Sequence, residues 1–402
     1  MSSVPVCNYL VRSYGDSNSF SVMSAVKAHL QTYDVPININ SLSSFGFLLF
    51  IFIMLQIVTG ILLASFYTPS ISLASYSISH IIREVWSGWY FRSFHSIGAS
   101  FVFALAYIHI MRSFAYGSYL VLPLTWISGI IIFCVLMMTA FYGYVLPWGQ
   151  LSYWGATVIT SFLSSMPTIW TWYCGGYYIS SPTLKRFFVL HFTLPFVCCA
   201  LILIHVFTLH LLISNNPLGY APSLKISFYP IILYLDFKVL SYVVLLFIFQ
   251  TFFAILPLSH PSNAEPASIF ATPLHIVPEW YFLSFYAMLK SLPSRSAGLA
   301  LLVSSILILF LFSKKDIEGN TTSSVLSNSS ASMFSASFLW TFWCLLIIGA
   351  QLPQDLFIMH GRIFVCLFFW FALLLLLPSK SKNQSGLLVV PLSINKYTNA
   401  SF

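Results

Sequence analysis

The chain has 402 residues, 58% of them apolar and only 6% charged, whereas a soluble domain carries roughly a quarter charged residues. Its formal charge of +8 comes from 17 basic and 9 acidic residues scattered along the chain, which excludes a nucleic-acid-binding patch as its organising feature. The composition is that of an all-α polytopic membrane protein in which nearly the whole length forms one integral domain. The cysteines lie mostly in apolar runs, with no C-x-x-C or C-x-x-C-H spacing. They read as core packing rather than disulfides, zinc ligands or covalent cofactor attachment points.

Residues 1–42 are polar and mixed, with Arg12, Lys27 and His29, and are expected at the membrane surface. They hold no continuous apolar run after a basic start, so no cleavable signal is read there. Eight apolar segments follow, near 43–67, 89–113, 124–146, 187–213, 236–257, 297–312, 334–351 and 361–378. Each is close to the roughly 20 residues that span a bilayer, the sixth and seventh being short. The pattern gives a surface segment 1–42, a four-helix bundle 43–213 and a loop 214–235. Further membrane helices with one long loop occupy 236–378, before a tail at 379–402. An even number of crossings leaves both termini on one side, here called the near side. The near-side segments hold Arg12, Lys27, Arg112, Lys225, Lys238, Lys314, Lys315, Lys380, Lys382 and Lys396, which makes that side cytoplasm-like or matrix-like.

The second and fourth segments each carry two histidines fourteen residues apart, His95 with His109 and His191 with His205. Fourteen residues is close to four helical turns, so both imidazoles share a face, roughly 21 Å apart along the axis. The two segments run in the same direction. His95 is therefore level with His191 towards the far side, and His109 with His205 towards the near side. The first and third segments run oppositely and carry glycines at the same spacing, Gly46 with Gly60 and Gly129 with Gly143. Reversal puts Gly60 and Gly143 at the upper histidine level and Gly46 and Gly129 at the lower. The register predicts two stacked haem irons, each held by one imidazole from each helix, with glycines admitting the flat macrocycle. Arg92 and Arg112, three residues outside His95 and His109, are candidate propionate partners, as are Lys185 and Arg186 ahead of His191. One intramembrane histidine alone would suit a helix–helix hydrogen bond or a proton relay, and one glycine pair ordinary helix packing. Four of each in one register favour haem.

Two long loops, 147–186 and 258–296, fall on the far side and are apolar and aromatic. The run from Trp148 to Thr157 reads as an interfacial helix over the upper level. Pro278-Glu279-Trp280-Tyr281 sets a carboxylate in an apolar stretch, either as a proton acceptor or as a loop anchor. At the near side the fourth segment ends with His210 and Ser214-Asn215-Asn216-Pro217. Asp236 opens the fifth, either as a proton-exchanging group or as a helix cap.

Several of these motifs are specific: Gly-Tyr-Val-Leu-Pro-Trp-Gly-Gln at 143–150, Trp-Gly-Ala-Thr at 154–157, Pro-Glu-Trp-Tyr at 278–281, and Arg-Phe-Phe before His191. In them the chain resembles the cytochrome b family, the membrane core of the respiratory quinol:cytochrome c oxidoreductase (complex III), over residues 43–378. The resemblance implies two non-covalent haem b groups, the lower-potential one on His95 and His191 and the higher-potential one on His109 and His205. It implies a far-side quinol-oxidation pocket around Phe141, Tyr144, Gly155, Glu279, Tyr281 and Tyr286. A near-side quinone-reduction pocket would use His210, Ser214, Phe228 and Asp236. It further implies electron transfer from ubiquinol through the haems to ubiquinone, coupled to proton translocation. One electron would pass to an iron–sulfur protein, and that protein and a cytochrome c-type subunit would share a dimeric multisubunit complex. Ser43-Ser44 stands where the family commonly has Trp-Asn, and Leu235 where it commonly has lysine. The loop Ser259-His260-Pro261-Ser262-Asn263 lacks the usual acidic residues. Two rival classes share some features: a di-haem transmembrane reductase of another type, for which no dinucleotide fingerprint is present, and a haem-free proton-coupled transporter. Short ends without a targeting segment lead to an expected location in the mitochondrial inner membrane, with a bacterial plasma membrane as the alternative.

Overall fold

A computed structural model describes residues 31, 33–212, 214–218, 224–314 and 329–376. The tail 379–402, most of segment 1–42, and the basic residues Arg12, Lys27, Lys315, Lys380, Lys382 and Lys396 lie outside the described residues. Among the described residues seven helices are long and apolar enough to cross a membrane.

The first four of these form a bundle. They are α1 (Phe45–Ala64), α3 (Gly88–Ala115), α4 (Pro123–Val145) and α7 (Ser181–Leu212). Between them lie α2 (Ala74–Arg83), α5 (Gln150–Ser161) and α6 (Pro167–Cys174). Helix α2 is short and amphipathic, burying Ala74, Ser77 and Ile81, whereas the spanning helices are apolar all round. An apolar side chain that faces lipid is in its preferred medium, so no polar stripe marks an outer face such as that of Leu203 and Ile204 on α7. Pro123 starts α4 at a position where its missing N–H costs nothing. Pro195 lies inside α7, where it cannot donate to the His191 carbonyl one turn earlier.

The remaining helices are α8 (Ile231–Phe253), α9 (Leu283–Lys290), α10 (Arg295–Leu311), α11 (Ser329–Gly349) and α12 (Asp355–Leu376). The expected sixth crossing is α10, whose 17 residues reach about 26 Å, at the short end for a bilayer. The fifth begins earlier than its charge pattern implied, at Ile231, and ends at Phe253, where Ala254 turns left-handed with φ 46°. The fourth begins six residues before its apolar run, so Lys185 and Arg186 are helical.

The core between the two histidine levels is Leu48, Phe52, Val102, Leu105, Ile132, Val135 and Cys198. A second core joins α9–α12 to the near-side ends of α3 and α4 through Phe114, Trp126, Phe312, Phe338 and Phe368, and Trp126 Nε1 donates to the Leu309 carbonyl at 2.8 Å. At the near surface β1 (Asp34–Pro36) pairs antiparallel with β2 (Lys225–Ser227). This small ribbon, which hydropathy could not show, ties the N-terminal segment over the loop before α8.

Candidate haem and quinone sites

The histidines meet as the spacing required. The rings of His95 and His191 have centroids 6.0 Å apart, and those of His109 and His205 6.3 Å apart. Two imidazole nitrogens at roughly 2 Å from one metal, with roughly 1 Å more from each nitrogen to its ring centre, require about 6 Å. Three of the rings have their outer nitrogen fixed. Thr59 Oγ1 donates to the Leu55 carbonyl at 2.7 Å, so it accepts from His95 Nδ1 at 3.0 Å. Ser128 Oγ likewise donates to the Thr125 carbonyl and accepts from His205 Nδ1 at 2.9 Å. His191 Nδ1 donates to the Thr139 carbonyl at 2.8 Å. With Nδ1–H engaged, the lone pair of each ring sits on Nε2, the arrangement that supports an imidazole ligand to iron.

The glycines fall at the expected depths, each facing a histidine ring. A Cβ on Gly60 would lie 3.1 Å from His95 Cε1, one on Gly129 3.1 Å from His205 Cε1, and one on Gly46 3.4 Å from His109 Cε1. At Gly143 the His191 ring presses hardest, and a Cβ there would overlap it. Each ring thus lies against the backbone of the neighbouring helix, and that close approach lets His191 reach the Thr139 carbonyl one turn before Gly143.

A cavity of about 320 Å³ opens at the upper pair, within the usual range for a ligand pocket. His95, His191, Gly60, Gly143 and Arg92 line it together with Tyr144, Glu279, Tyr281, Pro147 and Asn263. Three of the residues expected in the quinol pocket, Tyr144, Glu279 and Tyr281, are therefore brought together. Phe141 instead packs on Phe187, Gly155 has open space beside it, and Tyr286 lies under the Lys290 ammonium at 5.2 Å. These three do not line the cavity.

Glu279 immediately precedes the turn Trp280–Phe282, and its side chain makes no capping bond there. Burial pushes its carboxyl up to about 7, and the Arg92 guanidinium partly offsets the rise. The segment is fastened to one face of α3. Trp280 Nε1 donates to Ser100 Oγ at 3.2 Å, the Tyr281 ring stacks on Phe103 with centroids 4.1 Å apart, and the Tyr107 hydroxyl donates to the Tyr281 carbonyl. Sequence reading missed Ser100, Phe103 and Tyr107, although their spacing marks one helical face.

At the near side the His210 ring packs on Tyr33, centroids 4.1 Å apart, and the Tyr33 hydroxyl is 3.3 Å from Ser214 Oγ. Phe228 belongs to the same cluster, its backbone N–H donating to the Tyr33 carbonyl at 2.8 Å. Asp236 is buried in the second turn of α8, beyond any capping position, and faces the buried Ser44. Arg112 Nη2 donates to Ser43 Oγ at 3.3 Å and to the Asn215 carbonyl at 3.0 Å. Its Nε is buried without a protein partner, as an anion-binding guanidinium in a cofactor site would be. Arg186 is engaged elsewhere: its guanidinium donates to the carbonyls of Trp172 and Tyr173 and does not line the upper cavity.

Known proteins resemble this chain as a whole. The family described as Cytochrome b/b6/petB matches residues 30–213, and that described as Cytochrome b(C-terminal)/b6/petD matches residues 266–369. Cytochrome b of Plasmodium chabaudi is 54% identical over 356 residues, 87% of this chain and 94% of its own length. Cytochrome b of Toxoplasma gondii is 45% identical (88% and 97% covered), and that of Rickettsia conorii 42% identical (89% and 92% covered). A solved structure, a hyperthermophilic respiratory complex III, superposes with a TM-score of 0.82 at 30% identity, covering 92% of this chain and 98% of its own. The chain belongs to the cytochrome b family, the quinol-oxidising electron-transfer subunits at the catalytic core of respiratory complex III.

Proposed function

We propose that the chain binds two non-covalent haem b groups, one between His95 and His191 and one between His109 and His205. It oxidises ubiquinol in the far-side cavity and reduces ubiquinone near His210 and Asp236. The observation that carries this reading is the continuity of one cavity from the upper histidine pair to Glu279 and Tyr281. Bound there, the two haems supply one-electron carriage across the membrane.

The chain's own residues do the rest. Tyr281, Tyr144 and the apolar wall exclude water from the quinol, which gives up two electrons and two protons. Glu279, when ionised, accepts a quinol proton at its carboxylate. From each quinol one electron leaves to an iron–sulfur protein seated on the far-side loops and the other crosses the bundle, so two quinols are oxidised for each quinone reduced. At the near surface His210 and Asp236 flank the quinone and exchange protons with it. Because the pockets face opposite surfaces, release and uptake of protons occur on opposite sides. Support for an iron–sulfur protein and a cytochrome c-type subunit as partners, and for a dimer, comes from the likeness to a respiratory complex III. The mitochondrial inner membrane is favoured over a bacterial membrane by the likeness to the Plasmodium and Toxoplasma proteins.

Ubiquinol added anaerobically to the membrane-embedded complex tests the reading. A reduced-minus-oxidised spectrum should show two b-type centres becoming reduced. Haem that ignores quinol would return the chain to a reductase of another type, and no haem at all to a transporter.

Two substitutions probe the parts separately. Gly143→Leu should abolish the upper centre, about half of the b-type absorbance, because the leucine would occupy the space of the His191 ring. Unchanged haem content would remove the glycine from the argument. Asp236→Asn should leave haem content unchanged and slow reoxidation of the lower centre by quinone roughly tenfold. Parental reoxidation kinetics would leave Asp236 a structural polar group.

A further inference from the structure

The start of the first far-side loop is joined to the second by several hydrogen bonds. Gln150 N donates to the Glu265 carbonyl and Ala267 N to the Trp148 carbonyl, each at 3.0 Å. Gln150 Oε1 accepts from Ser268 N at 3.0 Å while its Nε2 donates to the Ala271 carbonyl at 3.3 Å. Beside these bonds lies an unusual helix start. The residue before α5 is Gly149, which has no side chain to cap the first turn. The missing oxygen comes from the other loop: Asn263 Oδ1 accepts from Ser152 N, the third amide of α5, at 2.8 Å. That is the bond an N-cap side chain normally makes within its own helix. The arrangement requires glycine at 149, since a Cβ there would overlap the Asn263 carbonyl oxygen. Gly149 N meanwhile donates to Ser152 Oγ at 2.8 Å, so the helix start is satisfied from both sides.

Asn263 also lines the cavity, as do Leu258, Ser259, Tyr144 and Glu279. Asn263 therefore both bonds the start of α5 and lines the cavity. We propose that Asn263 is a positioning residue for quinol oxidation, capping α5 from the opposite loop and thereby holding the wall of the cavity at the spacing quinol requires. The inference rests on the reading of the cavity as the quinol-oxidation pocket.

Asn263→Ala deletes the cap and Asn263→Asp keeps the accepting oxygen. In the intact complex, the alanine variant should retain both haem spectra and parental near-side reoxidation by quinone. Its KM for quinol should rise roughly fivefold, the equivalent of the ~1 kcal/mol that an N-cap supplies, with kcat within about twofold. The aspartate variant should stay near the parental KM. Parental KM in the alanine variant would overturn the proposal, as would lowered haem content with parental kinetics per haem. If the alanine variant fails to assemble, the aspartate variant decides: recovery of assembly and KM supports the cap, and failure like that of alanine contradicts it. Glu279→Gln serves as the control for the underlying reading. If it slows quinol oxidation while Asn263→Ala does not, the cap role alone fails; if neither has an effect, the cavity is not the quinol pocket.

Discussion

Replacing His109 by leucine should eliminate the near-side haem while the far-side pair stays spectroscopically intact, or prevent stable assembly altogether. His109 and His205 face one another with ring centroids 6.3 Å apart, and leucine offers no nitrogen to replace the lost ligand. The effect should be confined to that level, because a haem in this gap would be left with His205 as its only histidine. Electron entry from quinol should persist and transfer to the near-side pocket should stop. Absorbance of two b-type centres in the assembled variant would contradict the ligand assignment.

Glu279→Gln carries the second large effect. Burial holds the Glu279 carboxyl up to about 7, with Arg92 opposing the rise and Tyr144 and Tyr281 the other titratable groups that face it. The sign follows from the role. A base must be ionised to accept a proton, so quinol oxidation should be slow below pH 7, rise through that region and level off above it. Glutamine keeps the size and much of the hydrogen bonding but cannot take the proton as a carboxylate. The variant should bind both haems, oxidise quinol roughly tenfold to a hundredfold more slowly near pH 8, and lose the inflection near pH 7. A glutamine variant with the parental rate and pH profile would assign the proton to another acceptor.

The membrane bundle was legible because its constraint is one-dimensional. Once length and apolarity mark a crossing, the fourteen-residue spacing of His95 with His109 and of Gly46 with Gly60 fixes depth, and alternation of direction fixes which levels coincide. What the glycines do there was less legible, since contact between Gly143 and the His191 ring depends on how closely two helices approach. The hydroxyl partners had a trace in the sequence: Thr59 directly precedes Gly60, and Ser128 directly precedes Gly129. Arg186 misled because charge next to a ligand says nothing of rotamer, and its guanidinium finds the carbonyls at the end of α6. Residues joined over long sequence separations left no pattern to read. Tyr33 against His210, Ser100 with Trp280, and Asn263 at the start of α5 are pairings of loops and helix faces, and hydropathy is silent about them.

We infer two bis-histidine haems at two depths of one bundle, both reduced by quinol. A potentiometric titration of the b-type absorbance in the intact complex, with haem counted per chain, tests this most directly. Two one-electron steps of equal amplitude and two haems per chain, both reduced on adding ubiquinol, are the predicted result. A single step with one haem per chain, or two haems that remain oxidised in the presence of ubiquinol, would contradict it.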